Sequence, residues 1–567
     1  MPKIEVNEKL FFSLVGRRMD PAELEPALET AKAELDAWDL AGPADERIIK
    51  IELNDTNRPD LWSTAGLARQ LRIRLGGGIP EYPFFSREGD QRPADYRVVV
   101  DQSIRELRPY MAAFVVSGKA IDDAMLRDAI QTQEKLCSNF GRKRRSVSMG
   151  MYRIELITWP VAYKGVDPDA VSFVPLQSDE SMTLRRIAAE HPKGKEYGHI
   201  IAGSPVYPIL MGADGGVLSM APIINSADIG AVQVGDRDLL VEFTGTDMAA
   251  VCLSASIVAC DFSDAGYEIR PVRVDYGFDT PFGRSVTFPY YFQQPASVDS
   301  GRVSRLLGDS FGPEQVVEAL ARMGVRAESH GQHVRATVPE YRDDFIHAVD
   351  LVEDVMIGRG LASFAPERPR DFTIGRLSPI ESFTRRAKDV MVGLGYQEMI
   401  YNYLGSGRDY IERMNVPADD VIRISNPMTE NFEYVRPSIL PGLLQSEAVS
   451  SKAPYPHRIF EAGKVAFLDD ARNYGTATRQ RIGLLCAHQA ADYNELAGVV
   501  SALLYYLGEE YSVDDSDDPR FLPGRQARIL IGGEPVGLFG EVHPAVLENW
   551  GITMPCAACE LDLESLL

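Results

Sequence analysis

The chain has 567 residues, 45% hydrophobic and 25% charged, with a formal net charge of −23. The length exceeds one ordinary core and predicts roughly three to five domains, and the composition is that of a globular chain rather than a disordered or fibrous one. The acidity argues against a protein that coats nucleic acid, because phosphate contacts need clustered Lys and Arg.

No apolar run approaches the length of a membrane span, so no membrane association is expected. The start, "MPKIEVNEKLFFSLVG", lacks the apolar core and cleavage site of a signal peptide. Cys137, Cys252, Cys260, Cys486, Cys556 and Cys559 are too irregularly spaced for a disulfide framework. A reducing cytoplasm fits them best.

In chain order, residues 1–85 predict a small α/β domain. "PAELEPALETAKAELDAWDL" is patterned as an amphipathic helix and "IIKIELNDT" as a strand. Asn57 to Asp60 forms a turn, and Ser63 or Thr64 is placed to cap the helix that follows. Residues 90–275 predict a larger α/β domain, with strands at "YRVVVD", "MAAFVVSG", "DLLVEFTG" and "CLSASIVACDF". Its helix "IDDAMLRDAIQTQEKLCSNFG" is stopped by Gly141. Residues 286–362 read as helix, helix, hairpin and helix, a winged-helix-like domain. Residues 375–567 alternate helices with strands such as "RQARILIGGEPVGLFGEV".

Candidate chemistry is sparse. No phosphate loop, nucleophile elbow or His-Glu-x-x-His run is present, and the eight His are scattered. Cys556 and Cys559 make a lone Cys-x-x-Cys at the start of a predicted strand, weak as a zinc signal. Two basic islands stand out on this acidic chain. One holds Arg142, Lys143, Arg144, Arg145 and Arg153; the other holds Arg185, Arg186, Lys193 and Lys195. "APIINS" carries Asn225 and Ser226, and "EFTGTD" carries Thr244, Thr246 and Asp247; such small polar residues either form turns or hold a ligand or water. "RDDFIHAVDLVEDV" crowds Asp343, Asp344, Asp350, Glu353 and Asp354 among apolar residues at helical spacing. Asp350 and Asp354 stand at i and i+4, where like charges destabilise a helix by roughly 0.2–0.5 kcal/mol.

Six motifs follow one another along nearly the whole chain: "LNDTNRPDLWSTAGLARQLR", "RPYMAAFVVSG", "APIINS" with "EFTGTD", "PEYRDDFIHAVDLVEDVMIGRG", "NPMTENFEYVRPSILPGLLQS" and "GEVHPAVLENWGI". Together they resemble the β subunit of phenylalanyl-tRNA synthetase, and the length matches the archaeal/eukaryotic-length type. The resemblance implies an α/β and α+β multidomain fold ending in a class II synthetase-like antiparallel core without catalytic motifs. It implies an α2β2 complex in which the α subunit uses ATP and phenylalanine to charge tRNA(Phe). It also implies Mg²⁺ on Asp344, Asp350, Glu353 and Asp354, with Asp344 at the start of the acidic helix; a hard cation would turn their repulsion into shared attraction. Arg458 and Glu461 stand three apart in "HRIFEAG", where the class II ATP-binding pattern has an Arg two residues before a Glu.

The second domain resembles the family's editing module, which hydrolyses tyrosine wrongly esterified to tRNA(Phe). The resemblance implies a pocket with Leu218, Asn225, Ser226, Thr244, Thr246 and Asp247, and a tRNA-facing surface with Arg142, Arg144 and Arg145. Arg153 replaces an acidic residue usual in that pattern. A free-standing editing hydrolase and a non-catalytic tRNA-binding scaffold remain alternatives at this point.

Overall fold

Alternating apolar and charged residues in Lys3–Asn7 and Ile48–Leu53 put Ile4, Val6, Ile49 and Ile51 on one buried face. With Ala33–Trp38 they form a three-stranded antiparallel sheet, Ile48–Leu53 in the centre. The computed structural model describes residues 2–43, 46–55, 57–90, 94–419, 421–450 and 452–567, and divides after residue 367 into two units.

In the first unit, the segment patterned as one helix is split. Pro21–Leu28 is helical and Ala33–Trp38 is a strand, because Lys32 turns the chain in a left-handed conformation between them. Ser63 caps Thr64–Arg74, accepting from the Gly66 amide at 2.9 Å. Arg69 on this helix is buried and pairs with Asp261 and Asp264.

Those two carboxylates lie on Met248–Asp264, which is a helix and not the strand its sequence suggests. "CLSASIVACDF" alternates polar and apolar residues, but Ser254 and Ser256 bond the carbonyls of Ala250 and Cys252 four residues back. Their hydroxyls are thus satisfied inside the helix, and the helix is buried on nearly every side. It backs a ten-stranded mixed sheet in which Glu268–Tyr276, Tyr110–Ser117, Leu239–Gly245 and, at the edge, Val147–Arg153 follow one another.

The strands Ala296–Asp299, His333–Thr337 and Arg326–His330 form a small sheet flanked by the helices Ser300–Leu307, Pro313–Arg322 and Ala348–Arg359. The last two helices meet at Gly358, where an added Cβ would lie 2.0 Å from the Ala319 carbonyl oxygen. Gly358→Ala should therefore destabilise the chain despite the ~1 kcal/mol that alanine gains in helix propensity, because overpacking costs about 1–3 kcal/mol. Urea denaturation monitored on the first unit measures it, and a stabilised variant would show that the helices separate freely.

The second unit is built on a seven-stranded sheet in the order Gln397–Glu398, His457–Leu468, Thr476–Ala487, Cys556–Asp562, Glu534–Val542, Phe521–Ile531, Ser512–Asp515. All neighbours are antiparallel except the first pair. Helices Pro379–Gly393 and Tyr493–Leu507 pack on one face through Met391, Leu496, Val500 and Leu504. Leu440–Val449 and Pro544–Trp550 pack on the other.

Candidate functional site

The strand Leu239–Gly245 is buried along its whole length, yet it carries Glu242. Glu242 and Thr244 share one face of the strand, opposite Gly150 and Ser148 of the neighbouring strand. A cavity of about 380 Å³ opens on this face, lined by Met149, Met151, Ser219, Pro222, Asn225 and Glu242 among others. That is the size range of small-molecule sites, and its walls mix apolar side chains with polar ones.

Glu242 is 3% exposed. Its Oε1 accepts from the Tyr152 hydroxyl at 2.9 Å, while Oε2 has no partner. Burial pushes this carboxyl up to about 7, against the opposing pull of the Tyr152 bond and the Arg108 guanidinium. Gly150 makes the room: a Cβ there would lie 2.3 Å from the Tyr152 hydroxyl and 2.6 Å from Glu242 Oε1. A buried acceptor left unpaired costs about 1–3 kcal/mol. A ligand with an apolar body and a hydroxyl at its tip would relieve that cost.

The rim is a short loop after the π-helical turn Leu136–Phe140. Arg142, Lys143 and Arg144 take consecutive positive φ values of 51°, 55° and 66°. Such backbone is unfavourable for side-chain-bearing residues and persists only where its surroundings enforce it. Arg108 does so here. Fully buried, it donates through Nη1 to the carbonyls of Arg144 and Arg145, each at 3.0 Å, and through Nε and Nη2 to Thr244 Oγ1 and Ser148 Oγ at 3.0 Å. Arg144 in turn reaches the Pro222 and Ile223 carbonyls at 3.0 and 2.9 Å, and lies over the Tyr197 ring. The side chains of Arg142 and Arg145 are left exposed.

Of the residues singled out from the sequence, Asn225, Arg144 and Lys193 line the cavity. The others frame it. Leu218 is core, and its carbonyl accepts from the Ser226 amide at 2.8 Å. Ser226 Oγ accepts from the Ile229 amide. Thr244 holds Arg108, Thr246 points to the Arg145 carbonyl at 3.4 Å, and Asp247 caps Met248–Asp264. Arg153 turns to the Asp228 carbonyl. Much of the second basic island is neutralised, with Arg185 on Asp169, Arg186 on Glu180 and Glu190, and Lys193 on Glu196. Sequence reasoning missed Glu242, Tyr152 and Gly150. The available signal was a lone carboxylate inside the apolar strand "LLVEFTG".

The acidic segment is arranged differently from its sequence pattern. The helix starts at Ala348, so Asp344 lies before it rather than at its start. Arg342, fully buried, binds Asp344 through Nε and Nη2 at 2.9 and 2.6 Å, and Asp354 through Nη1 at 2.6 Å. Lys32 pairs with both Glu353 and Asp55. Asp350 turns back over the helix start, accepting from the Ile346 and His347 amides at 2.7 and 2.6 Å. Asp55, Asp344, Glu353 and Asp354 surround a cavity of about 10 Å³, room for one water or one small ion. Four carboxylates against Lys32 and Arg342 leave two negative charges, while Arg58 and Asp60 neutralise each other. Donor type and charge there fit one hard divalent cation; Asp350 would have to leave its cap to join.

Among the described residues no helix is long and apolar enough to cross a membrane. The family model described as the phenylalanyl tRNA synthetase beta chain CLM domain matches residues 367–563, and the tRNA synthetase B5 domain matches residues 296–361. The phenylalanine–tRNA ligase beta subunit of Treponema pallidum subsp. pallidum is 47% identical over 604 aligned residues, with 100% of both chains covered. That of Borrelia garinii subsp. bavariensis is 46% identical over 570, again with 100% of both covered. The crystal structure of an N-terminal fragment of the phenylalanyl-tRNA synthetase β subunit from Pyrococcus horikoshii superposes with a TM-score of 0.58 at 33% identity, covering 63% of this chain and 100% of the fragment.

Proposed function

Because the chain belongs to the phenylalanyl-tRNA synthetase β-subunit family, we propose that it acts within an α2β2 phenylalanine–tRNA ligase as the subunit that clears Tyr-tRNA(Phe). The observation that carries the editing reading is the unpaired Glu242 Oε2 in the wall of a cavity that also presents Met149, Met151 and Ile223. Tyrosine differs from phenylalanine by one hydroxyl. An apolar pocket rejects that extra hydroxyl poorly, so errors in charging call for a second site. A tyrosyl ring entering between Met149 and Met151 would bring its hydroxyl to Glu242 and Asn225, whereas a phenylalanyl ring would leave Glu242 unpaired. Arg142 and Arg145 on the rim offer charge to the phosphates of the acceptor end.

Charging falls to the α subunit. In this chain Arg458 is held by Glu495, and Glu461 by both bonds from Arg436, so neither is free to clamp ATP. The second unit exposes large apolar side chains, among them Ile400, Met428, Val449 and Tyr474, as a subunit that docks another protein would. Asp344, Glu353 and Asp354, with Asp350 on rotation, would hold Mg²⁺. The ion would supply the two positive charges that Lys32 and Arg342 leave wanting.

The test is release of labelled amino acid from tRNA(Phe) pre-charged with Tyr or with Phe, using the α-containing complex. Tyr should be released about ten- to a hundredfold faster, from 1–3 kcal/mol of discrimination. Equal rates would sink the editing reading.

A further inference from the structure

Scattered His residues show no ligand cluster in the sequence, but the fold makes one. Cys486 is the last residue but one of the strand Thr476–Ala487, His488 follows the strand, and Glu495 lies in the first turn of Tyr493–Leu507. Among the described residues, these three alone bring at least three His, Cys, Asp or Glu ligand atoms within 4.8 Å of one another. His488 Nε2 stands 2.6 Å from Glu495 Oε2, and Cys486 Sγ 3.5 Å from Glu495 Oε1. A second observation points into the same place. The Tyr396 hydroxyl is buried, has no hydrogen-bond partner, and lies within reach of the charges of Arg458 and Glu495.

We propose that Cys486, His488 and Glu495 bind a borderline-soft divalent cation of the Zn²⁺ type, with a water completing the shell and bonded to the Tyr396 hydroxyl. A thiolate, an imidazole and a carboxylate are the ligand set such an ion prefers, and a hard cation does not. Cys486 is inert without the ion, since burial and the neighbouring Glu495 push its thiol up to about 11. On binding, the sulfur–metal bond forms and the thiol proton leaves to solvent. Glu495 uses Oε2 for the ion and keeps Oε1 on Arg458, at 2.8 Å, as an outer-shell support. His488 binding through Nε2 shifts its ring proton to Nδ1, which gives up the bond from the Ala490 amide. The ion replaces the contact now shared between His488 and Glu495. One ion here would tie the end of a sheet strand to the start of the helix that covers it.

Cobalt titration of the chelator-stripped full chain tests this. One equivalent of Co²⁺ should produce thiolate-to-cobalt charge-transfer absorption in the near ultraviolet. Cys486→Ser should abolish it, Cys556→Ser should leave it intact, and His488→Ala should weaken Zn²⁺ binding at least tenfold against a chelating dye. His488 is partly exposed, so its variant should fold. Absence of the band in the wild-type chain, or its survival in Cys486→Ser, would overturn the assignment. Cation binding at the acidic segment cannot imitate the result, because no thiol lines that cavity.

Discussion

Arg342→Met should destabilise the first unit by about 3–5 kcal/mol, the loss typical of a buried ion pair stripped of one partner. Arg342 is enclosed between Asp344, Asp354 and the face of the Phe345 ring. Methionine fills the volume but strands two carboxylates beside Glu353. The pH dependence distinguishes this cause from lost packing. Burial alone would push Asp344 up, but the Arg342 guanidinium outweighs it and holds the carboxyl down at about 2. A depressed folded pKa contributes stability that is present above the unfolded value near 4 and lost as pH falls through the folded one. The wild type therefore loses about 2 kcal/mol progressively between about pH 5 and 1. In Arg342→Met the stranded carboxylates favour the proton instead, so the deficit should shrink as pH falls from neutrality towards 2. Adding Asp354→Asn should recover part of the loss at neutral pH. Denaturant midpoints across that range measure both effects, and a pH-independent deficit would assign the loss to packing.

How much of this was legible in the sequence depends on the distance over which a feature is assembled. The strand "LLVEFTG", the Ser63 cap and the hairpin Arg326–His330 with His333–Thr337 are local and were readable from pattern. Met248–Asp264 was misread because a helix buried all round has no 3.6-residue period, and its serines imitate a strand's alternation. The acidic run displayed its charges but not their compensation, since Lys32 lies 321 residues from Glu353. The Cys486, His488 and Glu495 group follows no known ligand spacing; it exists because a strand end and a helix start happen to meet. Motif resemblance drew attention to Thr244, Thr246 and Asp247. Of these, Thr244 holds Arg108, which fixes the rim loop, and Asp247 caps Met248–Asp264, while the carboxylate two residues before Thr244 is the one that lines the cavity.

That carboxylate leads to the second large effect. Glu242→Gln should lower the rate of tyrosine release from Tyr-tRNA(Phe) about a hundredfold at pH 8, bringing it near the rate for the phenylalanyl ester. Glutamine keeps the shape and can still accept from Tyr152 through its carbonyl oxygen. Its amide group, however, presents donors where the tyrosine hydroxyl needs an ionised acceptor. Since burial raises the Glu242 carboxyl to about 7, wild-type discrimination should itself rise with pH through about 7, and the variant's should stay flat. Stability should move the other way. A carboxyl whose folded pKa lies above its unfolded value contributes stability at low pH that is lost as pH rises through the folded value. Between the ordinary value of 4.5 and about 7 the shift is worth about 3 kcal/mol. Glu242→Gln should thus be more stable than the wild type at pH 8 by up to that amount, and no more stable at pH 4, where Glu242 is neutral in both states. Gly150→Ala provides the control for geometry: it crowds Tyr152 and Glu242 together, so it should impair release without the pH-dependent gain in stability. A Glu242→Gln chain that is slower and also less stable at pH 8 would mean that the carboxylate serves the fold, and that the tyrosine hydroxyl is recognised elsewhere in the cavity.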